Sequence, residues 1–409
     1  MKKLFGITLG ILTAIGGFVD IGDLVAAALT GARFGLSLAW VMVVGVVGIC
    51  LFAEMAVRVT TITGRPVFDL VRERLGARAG LANLTASYLV TLLTLAAELG
   101  GVALALELAT SVNHLLWVPI VGLLVWVVIW RVKFERMEKA YGLLGLALIV
   151  FAVAVWQLGP DWGALLAQAA NPVPPPDESW PVWFYYAIAL FGSAMTPYEV
   201  FFLTSGGVEE GWRPSDLRIS RLNVFIGFPL GGLLALSIMV AAALVLGPAG
   251  VQVDHLGQVV LPVAVALGKL GVAVALIGFF AATFGAALET ALSGGYAIGQ
   301  YFGWRWGKRV APVHAARFHL VILATVLAGT AIILTTLDPV KVTEYSIVLS
   351  AAALPLTYLP ILVVANDAEY LGRRVNSPLT NVLASVYLVL LLVVSAVTIP
   401  LMIVTRAGQ

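Results

Sequence analysis

Ser193-Ala194-Met195-Thr196-Pro197-Tyr198-Glu199 interrupts an apolar run spanning about 182–206. Gly16-Gly17-Phe18-Val19-Asp20-Ile21-Gly22-Asp23 interrupts another, over about 5–33. Proline removes a helix donor and clashes with the preceding turn, and glycine loosens the backbone. Each stretch therefore predicts a helix broken in the middle. A bilayer crossing needs about 20 apolar residues. Eleven runs meet that length, at approximately 5–33, 36–57, 84–110, 113–130, 141–158, 182–206, 222–247, 271–300, 317–337, 343–365 and 379–405. The breaks fall in the first and the sixth, which are equivalent positions in a five-plus-five repeat. Because five is odd, the second repeat runs inverted. Paired broken helices in matching positions of two halves point to the central site of a transporter. The expected architecture is an all-α polytopic membrane protein with one transmembrane domain over 1–409. Repeat one covers about 5–158, repeat two about 182–365, and an extra helix about 379–405.

Composition agrees. The 409 residues are 61% hydrophobic and 11% charged, against about 25% charged in soluble domains. A formal net charge of +2 argues against a nucleic-acid partner. The lone cysteine, Cys50, excludes an internal disulfide framework and a multi-cysteine metal site. Met1-Lys2-Lys3 before an apolar stretch resembles a signal peptide, but no small-residue cleavage site follows and the segment holds Asp20 and Asp23, so it reads as a retained first span. We find no nucleophile–base constellation and no ATP-binding loop. An enzyme, a cofactor and a protein partner are not expected, and transport would be driven by gradients alone.

Charge in the loops sets the orientation. With the N-terminus in the cytoplasm, the inside segments hold 20 of the 24 lysines and arginines. The outside keeps Arg33, Lys269, Lys341 and Arg406. Such alternation follows the positive-inside rule and predicts a cell-membrane protein with its C-terminus outside. The outer segment 159–181, with Asn171-Pro-Val-Pro-Pro-Pro-Asp177, reads as a proline-rich cap.

Asp20, Asp23, Glu54, Glu98, Glu107, Glu199 and Glu289 fall inside these runs or at their ends, with no clear basic partner there. A carboxylate in the membrane is costly unless paired, protonated or facing water. Glu54 and Glu107 lie near span ends and read as end-of-helix residues. Asp20 and Asp23 at a glycine break exceed what capping needs, and the missing partner is read as a cation. Glu98 and Glu289 stay open, because a protonated glutamate can bond a neighbouring helix.

Together these residues resemble the Nramp family of divalent metal transporters. Asp20-Ile-Gly-Asp23 is similar to its first-helix Asp-Pro-Gly-Asn motif. Ala194-Met-Thr-Pro-Tyr-Glu199 stands where its sixth helix carries Met-Pro-His. Ala97-Glu98-Leu-Gly-Gly-Val-Ala-Leu-Ala105 resembles its third helix, and Val348-Leu-Ser-Ala-Ala-Ala-Leu-Pro355 its tenth. Asn366-Asp-Ala-Glu-Tyr-Leu-Gly372, with Asn376 and Asn381, resembles the family's ending. The likeness runs from about residue 10 to 390 and implies a LeuT-type fold. It also implies that Asp20 is the metal-binding aspartate.

The departures carry information. Asp23 replaces the binding asparagine, and Thr196 replaces the methionine whose sulfur favours transition metals. Ala353 stands where many members carry a glutamine. Tyr198 replaces the proton-pathway histidine, and Leu95 an aspartate of the same pathway. Met195 is one residue early, which turns it about 100° round a helix. The resemblance thus implies an oxygen-only ion site of Asp20, Asp23, Thr196 and Glu199, with the carbonyls of Gly17 and Ser193. Hard cations prefer oxygen, and magnesium, which dehydrates reluctantly, suits a roomier acidic cavity. This pattern is most like the Nramp-related magnesium branch, with manganese compatible and proton coupling not expected. The rival is a LeuT-fold carrier of an organic cation or amino acid. Two acids at the break would repel a substrate carboxylate, so an amine is the form of that rival that survives. A non-transporting metal sensor is the remaining alternative.

Overall fold

The computed structural model describes residues 19–335 and 337–408, and every regular element among them is helical. The helices are α1 Ile21–Phe34, α2 Ala39–Thr63, α3 Val67–Thr110, α4 His114–Arg131, α5 Phe134–Gly145, α6 Ile149–Leu158, α7 Trp162–Ala169, α8 Trp180–Ser193, α9 Pro197–Glu210, α10 Leu217–Val245, α11 Leu256–Tyr301, α12 Ala316–Leu334, α13 Pro339–Ala365, α14 Ala368–Leu371 and α15 Pro378–Val404. Ten segments among the described residues are long and apolar enough to cross a membrane, and they coincide with expected spans two to eleven. The first span is represented by α1; Gly16, Gly17 and everything before them lie outside the described residues.

The sixth span breaks where the proline demands it. α8 ends at Ser193, and α9 restarts at Pro197, whose missing N–H costs nothing at a first helical position. In the first span α1 begins at Ile21 behind Asp20, which holds an extended backbone and acts as N-cap.

Two helices run beyond the apolar runs that announce them. α3 bends at Gly76 (φ 84°) and α11 at Gly268 (φ 62°), backbone angles that favour glycine. Residues before each bend, expected to be loop, are short helices leading into the third and eighth spans. A length criterion of about 20 apolar residues misses them because each is only two to three turns long. The bends occupy equivalent places in the two halves, as an inverted repeat requires.

α3 lies along α11 and α13, and α1 packs against α10. Close approach depends on small residues: a Cβ at Gly192 on α8 would lie 2.4 Å from the Ile347 carbonyl oxygen of α13. Large apolar side chains such as Leu116, Leu233, Val265, Leu327 and Val386 cover the outside, a surface suited to lipid.

Glu54, read as an end-of-helix residue, finds its basic partners just outside the apolar runs. It pairs with Arg58 at 3.2 Å and with Arg221 at 2.7 Å, since residues four apart share a helix face and α10 begins beside it. Arg58 also donates to the Arg374 carbonyl and to Asn376, Arg74 pairs with Asp367 at 2.7 Å, and Glu209 accepts the backbone N–H of Lys308 and Arg309. These described segments, all read as inside, therefore meet at one end. Glu107 accepts from the backbone of His114 and lies 2.7 Å from its Nδ1, closing the turn between α3 and α4. At that opposite end Arg33 pairs with Glu178 and donates to the Gly408 carbonyl. The segment 159–181 contributes α7, from which Gln168 accepts the Leu36 N–H.

Candidate functional site

Asp20 is 1% exposed and caps α1. Its Oδ1 accepts the Asp23 N–H at 3.0 Å, and its Oδ2 accepts the Tyr198 hydroxyl at 3.1 Å. The first N–H of α1, on Ile21, is taken by Glu98 Oε1 of α3 at 3.1 Å. Two acids from different helices thus satisfy the exposed donors of one half-helix start, which carries partial positive charge. Glu98 has a positional role that its sequence context left open. Its Oε2 is buried with no hydrogen-bond partner among the described residues.

Thr196 precedes α9, and its hydroxyl donates to Glu199 Oε1 at 2.8 Å. Thr196 and Asp20 line one small cavity with Gly22, Thr94, Thr343, Ser346 and Ser350. Its volume is about 10 Å³, room for one water-sized sphere and smaller than the roomier cavity expected from Thr196 and Ala353. Thr94 and Ser346 share a hydrogen bond of 2.8 Å, Thr343 donates to the Pro339 carbonyl, and the buried Ser350 hydroxyl has no partner among the described residues. Among the described residues, every polar side-chain atom on this wall is oxygen.

Not every expected site residue meets there. Asp23 is fully buried beside Ser193 and does not line the cavity; neither of its carboxylate oxygens has a hydrogen-bond partner among the described residues. The Ser193 hydroxyl gives its proton to the Leu190 carbonyl instead. Ser193 ends α8, so its own carbonyl is one that a helix end leaves over. Glu199 reaches the site through Thr196, and its Oε2 is another buried oxygen without a partner among the described residues. Gly17 lies outside the described residues. Among those residues, no three His, Cys, Asp or Glu side chains are grouped closely enough to hold a metal.

The substituted positions separate clearly. Met195 turns its sulfur onto Gly48 of α2, where a Cβ would meet Sδ at 2.8 Å. Leu95 is buried in an apolar cluster with Leu99, Val102 and Phe318. Ala353 is buried too, but Ser350, one turn earlier, faces the cavity. Glu289 is half-buried within electrostatic reach of Glu98, Tyr198 and Glu199. Thr94, Gly22, Thr343, Ser346 and Ser350 escape a reading based on charge; the only signal is the 343, 346, 350 spacing, one face of a helix.

Gly22 is a position where space decides. A Cβ there would lie 2.8 Å from Ile347 Cγ2 and 2.9 Å from Asp20 Oδ1. Gly22→Ala is expected to cost ~1–3 kcal/mol through overpacking and to displace the Asp20 carboxylate. Thermal melting and uptake, measured on the same preparation, should both fall. Unaltered values would show that the α1–α13 contact yields freely.

A buried acidic break between half-helices, in an all-helical bundle of inverted repeats, defines a membrane transporter. The chain matches the Nramp family (natural resistance-associated macrophage protein-like) over residues 10–400 and belongs to it. It is 23% identical over 402 residues to the divalent metal cation transporter MntH of Aeromonas hydrophila, covering 95% of this chain and 93% of that one. To MntH of Deinococcus radiodurans it is 24% identical over 375 residues, covering 88% and 81%. In fold it is similar to the Eremococcus coleocola manganese transporter, with a TM-score of 0.71, 20% identity and coverage of 98% and 87%. Mhp1, a nucleobase-cation-symport-1 family transporter, gives 0.61 with 16% identity, covering 96% and 91%. The LeuT-type fold and the non-enzymatic class follow.

Proposed function

We propose that the chain carries a divalent metal cation across the cell membrane, magnesium in preference and manganese as a second substrate, without obligatory proton movement. The oxygen-only wall around Asp20 carries this reading. Hard cations take oxygen ligands, and thioether sulfur is what selects softer metals. Magnesium keeps several waters and is held through one or two carboxylates, which suits hydroxyls at Thr94, Thr196, Thr343, Ser346 and Ser350. The ion-binding role of Asp20, Asp23, Thr196, Glu199, Ser193 and Gly17 is part of the proposal. Relatives described as divalent metal cation transporters support the substrate class.

Three observations support the absence of coupling. Leu95 is packed among apolar side chains, the Tyr198 hydroxyl is committed to Asp20, and Glu98 is committed to the Ile21 N–H. Convergence of the cation-rich segments on one face supports a cytoplasmic N-terminus and an outer C-terminus. The test is reconstitution into proteoliposomes, with metal influx and internal pH followed together. Magnesium and manganese should enter without acidifying the lumen, and organic amines should not compete. Metal-dependent acidification that vanishes in Glu98→Gln overturns the uncoupled part. Competition by amines, with no metal influx, overturns the substrate.

A further inference from the structure

We propose that Tyr198 is a specificity-determining residue: its hydroxyl pins the Asp20 carboxylate and so disfavours calcium at the site. This rests on the reading of Asp20 as an ion ligand. Each oxygen of that carboxylate is already held, Oδ1 by the Asp23 N–H of its own helix and Oδ2 by the Tyr198 hydroxyl of α9. A carboxylate tied at both oxygens cannot turn about its last torsion to follow an ion. One acceptor site on each oxygen is also spent, out of roughly four on the group.

Tyr198 is itself closely held. Its side chain is fully buried, and its carbonyl accepts the Ser293 hydroxyl of α11 at 3.2 Å. The hydroxyl is therefore delivered from a fixed position on the second half of the molecule onto a ligand in the first. Selectivity between magnesium and calcium is decided by cavity size, ligand number and flexibility. Calcium takes six to eight oxygens in pliable arrangements, carboxylates often in bidentate fashion, whereas magnesium keeps its waters and asks little rearrangement of the protein. A carboxylate pinned at both oxygens asks for no rearrangement around a hydrated ion and withholds the turn that chelation needs. Tyr198→Phe removes the tether and leaves the ring.

The experiment is isothermal titration of purified wild type and Tyr198→Phe with magnesium and with calcium. The magnesium-to-calcium affinity ratio should fall about tenfold in the variant, the equivalent of one net hydrogen bond. A ratio unchanged between two folded proteins that both bind magnesium overturns the role of Tyr198 alone. Where the wild type binds manganese and not magnesium, the magnesium preference fails, and the manganese-to-calcium ratio decides about Tyr198 by the same criterion. No dication binding to the wild type overturns both. Should Tyr198→Phe not fold, infrared difference spectra of the wild type decide, with the Asp20 bands identified by subtraction of Asp20→Asn. The separation of the two carboxylate stretches should remain monodentate when calcium is added; a chelating separation overturns the proposal.

Discussion

Asp20→Asn should reduce uptake of magnesium and manganese at least about a hundredfold while the protein still folds. Asparagine is as good an N-cap as aspartate, so the side-chain oxygen facing the Asp23 N–H is kept. What disappears is the negative charge that meets the cation, and the Tyr198 hydroxyl must turn from donor to acceptor of the new amide. Losing one charge-assisted ligand costs about 3 kcal/mol, and every 1.4 kcal/mol is about tenfold. Asp20→Ala removes the charge and the cap together, adding ~1 kcal/mol of instability. Comparing the two variants separates the ligand from the cap. Equal folded yield, with flux lost in both, assigns the loss to charge. Normal flux through Asp20→Asn would place the ion elsewhere, with the partnerless oxygens of Asp23 and Glu199 next to examine.

Much of this arrangement is legible in the sequence because membranes punish exceptions. A proline or a pair of acids in an apolar run has few tolerated uses. Asp20, Thr196 and Pro197 therefore announce the two breaks, and their spacing by five spans announces the inverted repeat. The hydroxyls of the cavity wall are not legible in the same way. A serine or threonine in a helix can satisfy itself on a carbonyl one turn back, as Thr343 does on Pro339 and Thr204 on Val200. Nothing in the sequence separates those that face the break from those that do not. Only the packing of α13 and α3 against α1 assigns Thr94, Ser346 and Ser350 to the site. The bends at Gly76 and Gly268 are hidden for a similar reason, since a chain with 41 glycines offers many candidate positions.

The acids show the other limit. Sequence alone sets Glu54 apart from Glu98 and Asp23 only by its place near a span end, because basic partners four residues on or in a later span look like loop charges. In three dimensions Glu54 is neutralised by Arg58 and Arg221, while Glu98 binds a backbone donor and Asp23 is left with none among the described residues. Burying a charge is costly unless it is paired. The acids around the break, and not those at the span ends, are thus the ones whose cost a passing cation would offset.

Thr196→Met should raise cadmium affinity about ten- to thirtyfold and depress magnesium uptake. The Thr196 side chain and Asp20 share the cavity, so a longer side chain there enters the space the ion would use. A single thioether contact contributes on the order of 1–2 kcal/mol to a soft cation, which sets that range, and offers nothing to magnesium. The substitution also removes the hydrogen bond from Thr196 to Glu199. A buried acceptor left unmade costs ~1–3 kcal/mol, so part of the magnesium loss would follow from any apolar replacement. Thr196→Leu isolates that part, being similar in bulk without sulfur. Isothermal titration with cadmium and magnesium on the three proteins, with folded yield checked first, gives the answer. A cadmium gain in the methionine variant that is absent from the leucine variant assigns the selectivity to ligand softness. An equal gain in both would assign it to desolvation, and tight cadmium binding by the wild type with no magnesium binding would refute the oxygen-only reading of the wall.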